Sequence, residues 1–597
     1  MECRDGDSRT DCSGVSDEPY DGPVPIVTHV HGAHVDPHSD GYPEAWWLPA
    51  AKNIPKGYAN SGTLFDDSTG TNPGNLGYAD YMYSQDQPAT TLWYHDHSLG
   101  MTRLNVYAGP AGFWLIRGDG DDNDKVDDTS NGIDWDGVLP GPAPVAGQDV
   151  LSLNIPGNPI RSSIREIPIV IQDRSFNNDG SLFYPERRAF FEGVDKGELK
   201  INFSSESDIA SIWNPEAFFN VMVVNGVSWP KLKVAKALYR LRLLNGCNSR
   251  FLWLKFSNPA VKVYQIGAEQ GFLPTPIDMN ALDLDGSGDG KAQVLMALAE
   301  RADVIVDFSG VEEGSEITLL NIGPDEPFGG GIPGVDFDPA DPATSGVVMK
   351  FVVDENLTGA SPTDPVLADG ETPNLNAATD LANLALDAES ALGTPDVSRD
   401  VSLNEVSSEE VYICVNGDEE PAIPIRQVNP EANPADVCPD GFQNIIEFGP
   451  KEALLGVVDG AGNGIPLKWT DTTGESSPVE VTLESGDTVS INVTENPILN
   501  DTEEWSIYNF TEDAHPIHLH LVRFAVTGRE VIGGGTSVTG TNDPLAWEEG
   551  FKDTVIVYPG EITKVKAKFD KEGLYVWHCH IVEHEDNEMM RPYVVSP

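Results

Sequence analysis

The chain is 597 residues long and poor in several features common at that length. Only six residues are cysteine, too few for a disulfide scaffold of this size. No run of about 20 apolar residues occurs, so no membrane span is predicted. The amino terminus, MECRDGDSRT, lacks the apolar stretch of a secretory leader, and export cannot be read from it directly. Positive charge is scarce: Lys and Arg total 37 against 95 Asp and Glu, a formal net charge of −58. Such a field repels nucleic acid and anionic membranes and excludes both as partners. The acid bias runs along the whole chain, which points to a salt-adapted source. Surface carboxylates hold water and cations, and in roughly 1 M salt their mutual repulsion is screened within about 3 Å. Long periodic helical stretches are also few.

Glycine (58) and proline (45) are plentiful and accompany short apolar runs, which together predict an all-β protein rich in turns. At roughly 100–200 residues per domain, three or four domains are expected. Runs such as Ile167 to Ile171, Tyr239 to Leu244 and Val304 to Phe308 read as strands of a middle β-sandwich. An acidic run from Gly118 to Gly132 reads as a solvated loop, and a Pro/Ala/Asp/Thr-rich stretch from Asp354 to Asp400 as a linker. Cys414 and Cys438 share one irregular stretch and could pair. The loop Asp283 to Lys291 begins like a calcium loop, with Asp283, Asp285, Ser287 and Gly288. Val294 stands where a closing glutamate belongs, so a plain acidic turn is the expectation and calcium the alternative.

Histidine marks the layout. All twelve lie in two terminal blocks, with none between His97 and His515, which ordinary core or surface histidines would not produce. The first block contains HVHG (His29, His31) and WYHDH (His95, His97). The second contains HPIHLH (His515, His518, His520) and WHCHIVEH (His578, His580, His584). Side chains two apart on a strand share a face, so each His-x-His pair can send two imidazoles into one cleft. In His578-Cys579-His580 the same alternation turns the thiol to one side and both imidazoles to the other. His515 stands at an odd offset from His518 and is free to serve a different metal.

A thiolate, two imidazoles and a long axial thioether make up a blue copper ligand set, and Cys579, His515, His584 and Met589 supply it in type and order. Structural zinc wants finger-like spacing and several cysteines, which are absent here.

These four motifs resemble the four copper signatures of the multicopper oxidase family. The surrounding sequence is similar to the bacterial spore-coat laccase and bilirubin oxidase branch: DGYPEAWW, TRLNVYAGPAGF, QDRSFNNDGSLFYP, VNGVSWPKL and HCHIVEHEDNEMMRP. The similarity runs from about residue 24 to 597, apart from insertions near 118–160 and 411–445.

The resemblance implies three cupredoxin-like Greek-key β-sandwich domains: residues 1–118, then 165–353 without copper after an acidic insertion at 119–164, then 399–597 after a linker at 354–398. It also implies four copper ions per chain. His29 and His518 would serve the type 2 copper, and His31, His95, His97, His520, His578 and His580 the paired type 3 coppers. Asp40 and Glu585 match acidic positions that this branch uses to relay protons, while His34 and His38 are left as loop residues. Electrons from a small reducing substrate would enter at the blue copper through His515, pass through Cys579 to its flanking histidines, and reduce dioxygen to water.

A phenolic or similar one-electron donor is expected, acting on a monomeric, secreted or extracytoplasmic protein with no membrane span. Oxidation of Cu(I) or Mn(II), and a non-catalytic electron carrier, are the alternatives. The eight cluster histidines disfavour a carrier, and the lack of a methionine cluster disfavours a Cu(I) oxidase. Only 28 residues precede His29, so the first domain is expected to be truncated, with apolar strand faces left open.

Overall fold

A computed structural model of the chain describes residues 23–49, 59–65, 77–117, 139–140, 164–185, 198, 215–357, 392–407, 411–417, 420–448, 451–469 and 474–597. The acidic run, most of the predicted linker, Cys3, Cys12 and the segment preceding residue 23 lie outside these. The architecture is all-β, as expected, and its helices are short.

Near the amino terminus, β1 (Thr28–His31), β2 (Thr90–Asp96) and β3 (Gly112–Ile116) form a three-stranded antiparallel sheet. A short helix, α1 (Thr102–Ala108), connects β2 to β3. The apolar alternation along these strands yields only a small core of Val30, Ala33, Val35, Leu92 and Ile116.

The middle of the chain builds a seven-stranded and a five-stranded sheet. The three runs read as strands from the sequence fall in three neighbouring strands of the larger sheet, Glu166–Arg174, Leu238–Asn245 and Arg301–Asp307. Leu238–Asn245 is buried along its whole length, and side chains from both sheets, among them Ile169, Leu241, Val304, Leu254 and Phe351, enclose one apolar core. Parallel pairing of Glu166–Arg174 with Leu238–Asn245, and of Val347–Val353 with Lys231–Val234, requires crossover connections, as in a Greek key.

The C-terminal part repeats this plan with a six-stranded and a four-stranded sheet around Trp505, Ile507, Phe524, Val555, Tyr575 and Trp577. Between Tyr412–Val415 and Asn444–Glu447 a small antiparallel ribbon carries the Cys414–Cys438 disulfide and has its own apolar cluster of Ile413, Val415 and Ile425.

Two strands of the four-stranded sheet position the C-terminal histidines. His515–Leu519 lies between Thr554–Val557 and Gly573–Cys579. In that register His518 faces His578 and Ile517 faces Cys579. Adjacent pairs point to opposite sides of a sheet, so the imidazole pair looks one way and the thiol the other. No helix among the described residues is long and apolar enough to cross a membrane.

Candidate metal centre

Eight imidazoles converge on the side of the sheet occupied by His518 and His578. In the N-terminal sheet His29 lies directly across from His95, and His31 across from Trp93, which aims both His-x-His pairs at the same point. The rings stack pairwise across the two halves, His29 on His520 with centroids 3.9 Å apart and His31 on His518 at 3.7 Å. Three triads place their nitrogens within 4.8 Å of one another: His29, His31 and His518; His31, His95 and His580; and His97, His520 and His578.

Six of the eight rings are held by one nitrogen so that the other faces inward. The Nδ1 of His29 donates to the Asp40 carbonyl, that of His95 to the Asp96 carbonyl (2.7 Å), that of His518 to the Asp553 carbonyl (2.6 Å) and that of His578 to the Cys579 carbonyl (3.0 Å). A carbonyl can only accept, so these rings carry the proton on Nδ1 and present a bare Nε2. His520 donates instead to Oδ2 of Asp40 at 2.7 Å. His31 is turned the other way: its Nε2 lies 3.1 Å from Asp553 Oδ1, and its Nδ1 faces inward.

The inward nitrogens of His29, His31, His95 and His518, and both nitrogens of His580, are buried without a hydrogen-bond partner. The Nε2 atoms of His97 and His520 each lie 3.2–3.3 Å from Nε2 of His578. Orphaned lone pairs at this density suit metal ions, which would satisfy them together. Burial above all, and then the neighbouring imidazoles, push the basicity down, with His29 and His95 lowered to about 3 and His31, His97, His518, His520 and His580 well below the usual range. The rings therefore favour the neutral form, in which an imidazole nitrogen can accept a metal ion.

On the opposite side Cys579 Sγ lies 3.5 Å from His515 Nδ1 and 3.8 Å from His584 Nδ1. His584 sits on the short helix Val582–Asn587, which ends at Glu588 with φ +114°. That left-handed residue, strained by about 1–3 kcal/mol, reverses the chain and brings Met589 back beside Cys579. The Cys579 N–H donates to the Met589 carbonyl at 3.0 Å, and the Met589 side chain is fully buried in the same core. Burial pushes the Cys579 thiol well up, so a thiolate here needs a cation to displace its proton. Three of the four blue copper candidates, His515, Cys579 and His584, thus gather at one point, and the backbone of the fourth, Met589, lies against that of Cys579.

The two outer imidazole nitrogens differ. His515 Nε2 is closed off by the Thr511 hydroxyl at 2.7 Å. His584 Nε2 faces Glu216 Oε1 at 3.7 Å, and the other oxygen of that buried carboxylate has no partner. The expected electron entry at His515 meets the Thr511 hydroxyl, and the edge of His584 meets the Glu216 carboxylate and the Pro215 backbone.

Both carboxyls singled out in the sequence touch the cage. Asp40 bonds His520, and its Oδ1 has no partner. Gly41, at φ +90°, lets this segment lie on β1, since a Cβ there would come within 2.7 Å of the Thr28 carbonyl and 2.9 Å of His29 Cα. Glu585 places Oε1 3.7 Å from His97 Nε2 and Oε2 3.3 Å from His578 Nδ1. Burial raises both acids well above the usual carboxylate range, and for Glu585 the Asp586 carboxylate adds to it. His34 and His38 stay outside the cage: His34 bridges Asp86 and Asp570 at 3.0 Å each, and His38 lies 3.7 Å from Glu484.

In the candidate calcium loop the Lys255 ammonium pairs with Asp285 and with Asp289 (3.0 Å), and the Gln293 amide donates to Asp285 at 2.7 Å. A lysine fills the space a cation would take, and the acidic turn is what forms. Sequence reading missed Asp553, Arg301, Thr511 and Glu216. A charged residue opening a strand rich in apolar residues, as Arg301 does ahead of Ala302, Val304, Ile305 and Val306, is the one local signal that could have exposed any of them.

The comparisons with known proteins agree with this geometry. The family model for multicopper oxidases matches residues 468–597. A laccase of Bacillus stratosphericus is 30% identical over 593 residues, covering 97% of this chain and 82% of that protein. A laccase of Haloferax volcanii is 28% identical over 590 residues, covering 97% and 69%. Among solved structures the McoA multicopper oxidase of the hyperthermophile Aquifex aeolicus superposes with a TM-score of 0.53 at 20% identity, over 96% of this chain and 85% of that one. The chain belongs to the multicopper oxidase family. Within it the chain is laccase-like: a copper-binding oxidoreductase that takes electrons from a small molecule and passes them to dioxygen.

Proposed function

We propose that this oxidase binds four copper ions and oxidises phenolic or similar one-electron donors, in the manner of a benzenediol:oxygen oxidoreductase. Copper, when bound, supplies one-electron exchange at both sites and binding of dioxygen at the cage. His515, Cys579, His584 and Met589 would hold the type 1 ion, His29 and His518 the type 2 ion, and His31, His95, His97, His520, His578 and His580 the type 3 pair. The observation that carries this reading is the register of one strand pair, with Cys579 facing Ile517 on one side of the sheet and His578 facing His518 on the other. The backbone of a single tripeptide then joins the two ligand sets. The donor would approach the edge of the type 1 pair, where His515 lies beside the Thr511 hydroxyl and His584 beside Glu216. Asp40 and Glu585, held protonated by burial next to His520 and to His97 and His578, would deliver the protons that water formation consumes.

The division into domains at 1–118, 165–353 and 399–597, a monomeric state, an extracytoplasmic location and adaptation to salt belong to the same reading. The last is supported by the charge of −58 and the Haloferax relative.

A second reading, a metal-ion donor such as Mn(II) or Cu(I), is favoured by the unpartnered Glu216 oxygen at that edge. Copper analysis, a visible spectrum and oxygen uptake with a phenol, with Mn(II) and with Cu(I) test both readings. Four coppers, a thiolate-to-copper band and rapid uptake with the phenol are expected. Copper without uptake from any donor would leave only an electron carrier.

A further inference from the structure

The middle sandwich supplies no imidazole to the cage, yet one of its side chains reaches it. Arg301 opens the strand Arg301–Asp307 and is completely buried. Its Nε donates to the Thr91 carbonyl on β2 at 2.9 Å, one terminal nitrogen donates to the Ala299 carbonyl and to Asp553 Oδ1, both at 2.9 Å, and the other pairs with Asp553 Oδ2. A planar guanidinium is suited to such a bidentate grip.

Asp553 in turn governs two imidazoles from opposite ends of the chain. Its Oδ1 lies 3.1 Å from His31 Nε2, and its backbone carbonyl accepts from His518 Nδ1 at 2.6 Å. Thr554 Oγ1 donates to Asp553 Oδ1 at 3.0 Å and lies 3.0 Å from His31 Nε2, so it can only accept there. His31 is thereby fixed as the tautomer protonated on Nε2, with its lone pair on the inward Nδ1. Gln270 completes the grip by donating to Asp553 Oδ2 at 2.7 Å and to the Gly32 carbonyl at 2.8 Å. Residue 32 must be glycine for this carboxylate to come so close, since a Cβ there would collide with Asp553 and Gln270.

We propose that Arg301 is a positioning residue for the metal cage: by gripping Asp553 and β2 together, it holds His31 and His518 in register and presents the Nδ1 of the one and the Nε2 of the other to the interior of the cage. The inference rests on the copper reading above. It assigns to the ligand-free middle sandwich a part in metal retention that no imidazole count reveals.

The control lies next to it. Lys552 forms an equally buried network with Glu269 (2.7 Å) and Glu300 (3.1 Å), facing the same interface but touching no imidazole. Copper-loaded wild type, Arg301→Gln and Lys552→Gln are dialysed against graded chelator, following total copper, the thiolate band of the Cys579 site and the type 2 resonance in electron paramagnetic spectra. Loss of an outer-sphere partner of this kind weakens metal retention roughly 10–100-fold. Arg301→Gln is expected to release cage copper at about that much less chelator, with an altered type 2 resonance and an unchanged thiolate band. Lys552→Gln should lose thermal stability and keep its copper. Equal release from the two variants, or wild-type retention in Arg301→Gln, overturns the proposal. Should Arg301→Gln not fold, Arg301→Lys, which keeps the charge but cannot span β2 and both Asp553 oxygens, carries the same test with the same two outcomes. A wild type that binds no copper would sink the oxidase reading instead, so the two failures are distinct.

Discussion

The two halves of the imidazole cage contribute four rings each, and they are built in different ways. His518, His520, His578 and His580 belong to a sheet whose core cluster contains 32 buried apolar side chains. His29, His31, His95 and His97 belong to a three-stranded sheet whose own cluster contains five. These counts are of the described residues, and Trp93 of β2 packs besides on Leu244 and Ala299 of the middle sandwich.

Polar links fasten the N-terminal sheet as well. Asp96 accepts from the Val27 and Ser98 N–H groups, the Ser98 hydroxyl and the Asn105 amide. Thr90 donates to the Glu269 carbonyl, Arg242 to the Thr91 hydroxyl, and Arg301 to the Thr91 carbonyl. Asp586 of the last helix accepts from the N–H groups of Thr102 and Arg103 at the start of α1. The C-terminal half thus has the larger apolar core among the described residues, and the N-terminal half is braced internally by Asp96 and docked to the middle sandwich and the last helix by directional bonds. The rings are shared equally between the two halves, and the apolar packing of the described residues is not.

The largest test removes what the C-terminal half has in addition, its thiol. Cys579→Ser is expected to abolish the visible band and to reduce oxygen uptake to background, while copper analysis still finds the cage ions. Cage copper lost together with the band would show that the two sites assemble as one unit. The next test strikes the N-terminal half. Asp96→Ala orphans four donors, and each buried unsatisfied group costs about 1–3 kcal/mol. A loss of about 3 kcal/mol or more is expected in urea unfolding, with cage copper released before the Cys579 band fades. Simultaneous loss of both signals would mean that the two halves unfold cooperatively and that their unequal cores are immaterial.

The cage was legible in the sequence to the extent that ligand geometry is local. Strand alternation separates Cys579 from His578 and His580 within three residues, and the gap from His97 to His515 shows that two ends must meet. Asp96, wedged between two inward histidines, was equally bound to point the other way, although its partners could not be named. The contacts made by Arg301, Asp553 and Glu216 span long stretches of chain, and in a sequence with 95 acidic residues no single carboxylate stands out. Thr511 closes the outer nitrogen of His515 from within an irregular turn, a contact that no local pattern in the sequence announces. Local pattern specifies which side chains face the metals; which polar groups weld the sheets together is a tertiary matter.

The smallest effect concerns one such weld at the surface. His34 joins the segment after β1 to Asp86 and to Asp570 near the last strands, and the Asp570 hydrogen bond raises its basicity, with Asp86 adding to it. A histidine whose folded-state pKa lies above 6.5 contributes its full stabilisation below that value and loses it as pH rises through the raised one. His34→Gln should therefore be less stable than wild type at about pH 5.5 and indistinguishable from it near pH 9. Because His34 and both carboxylates are partly exposed, the difference should stay below about 1 kcal/mol and shrink in strong salt. Paired urea titrations at the two pH values check this. A deficit that is unchanged at the higher pH would mean that His34 acts by packing, and the electrostatic contribution to docking of the N-terminal half would then have to come from the buried links alone.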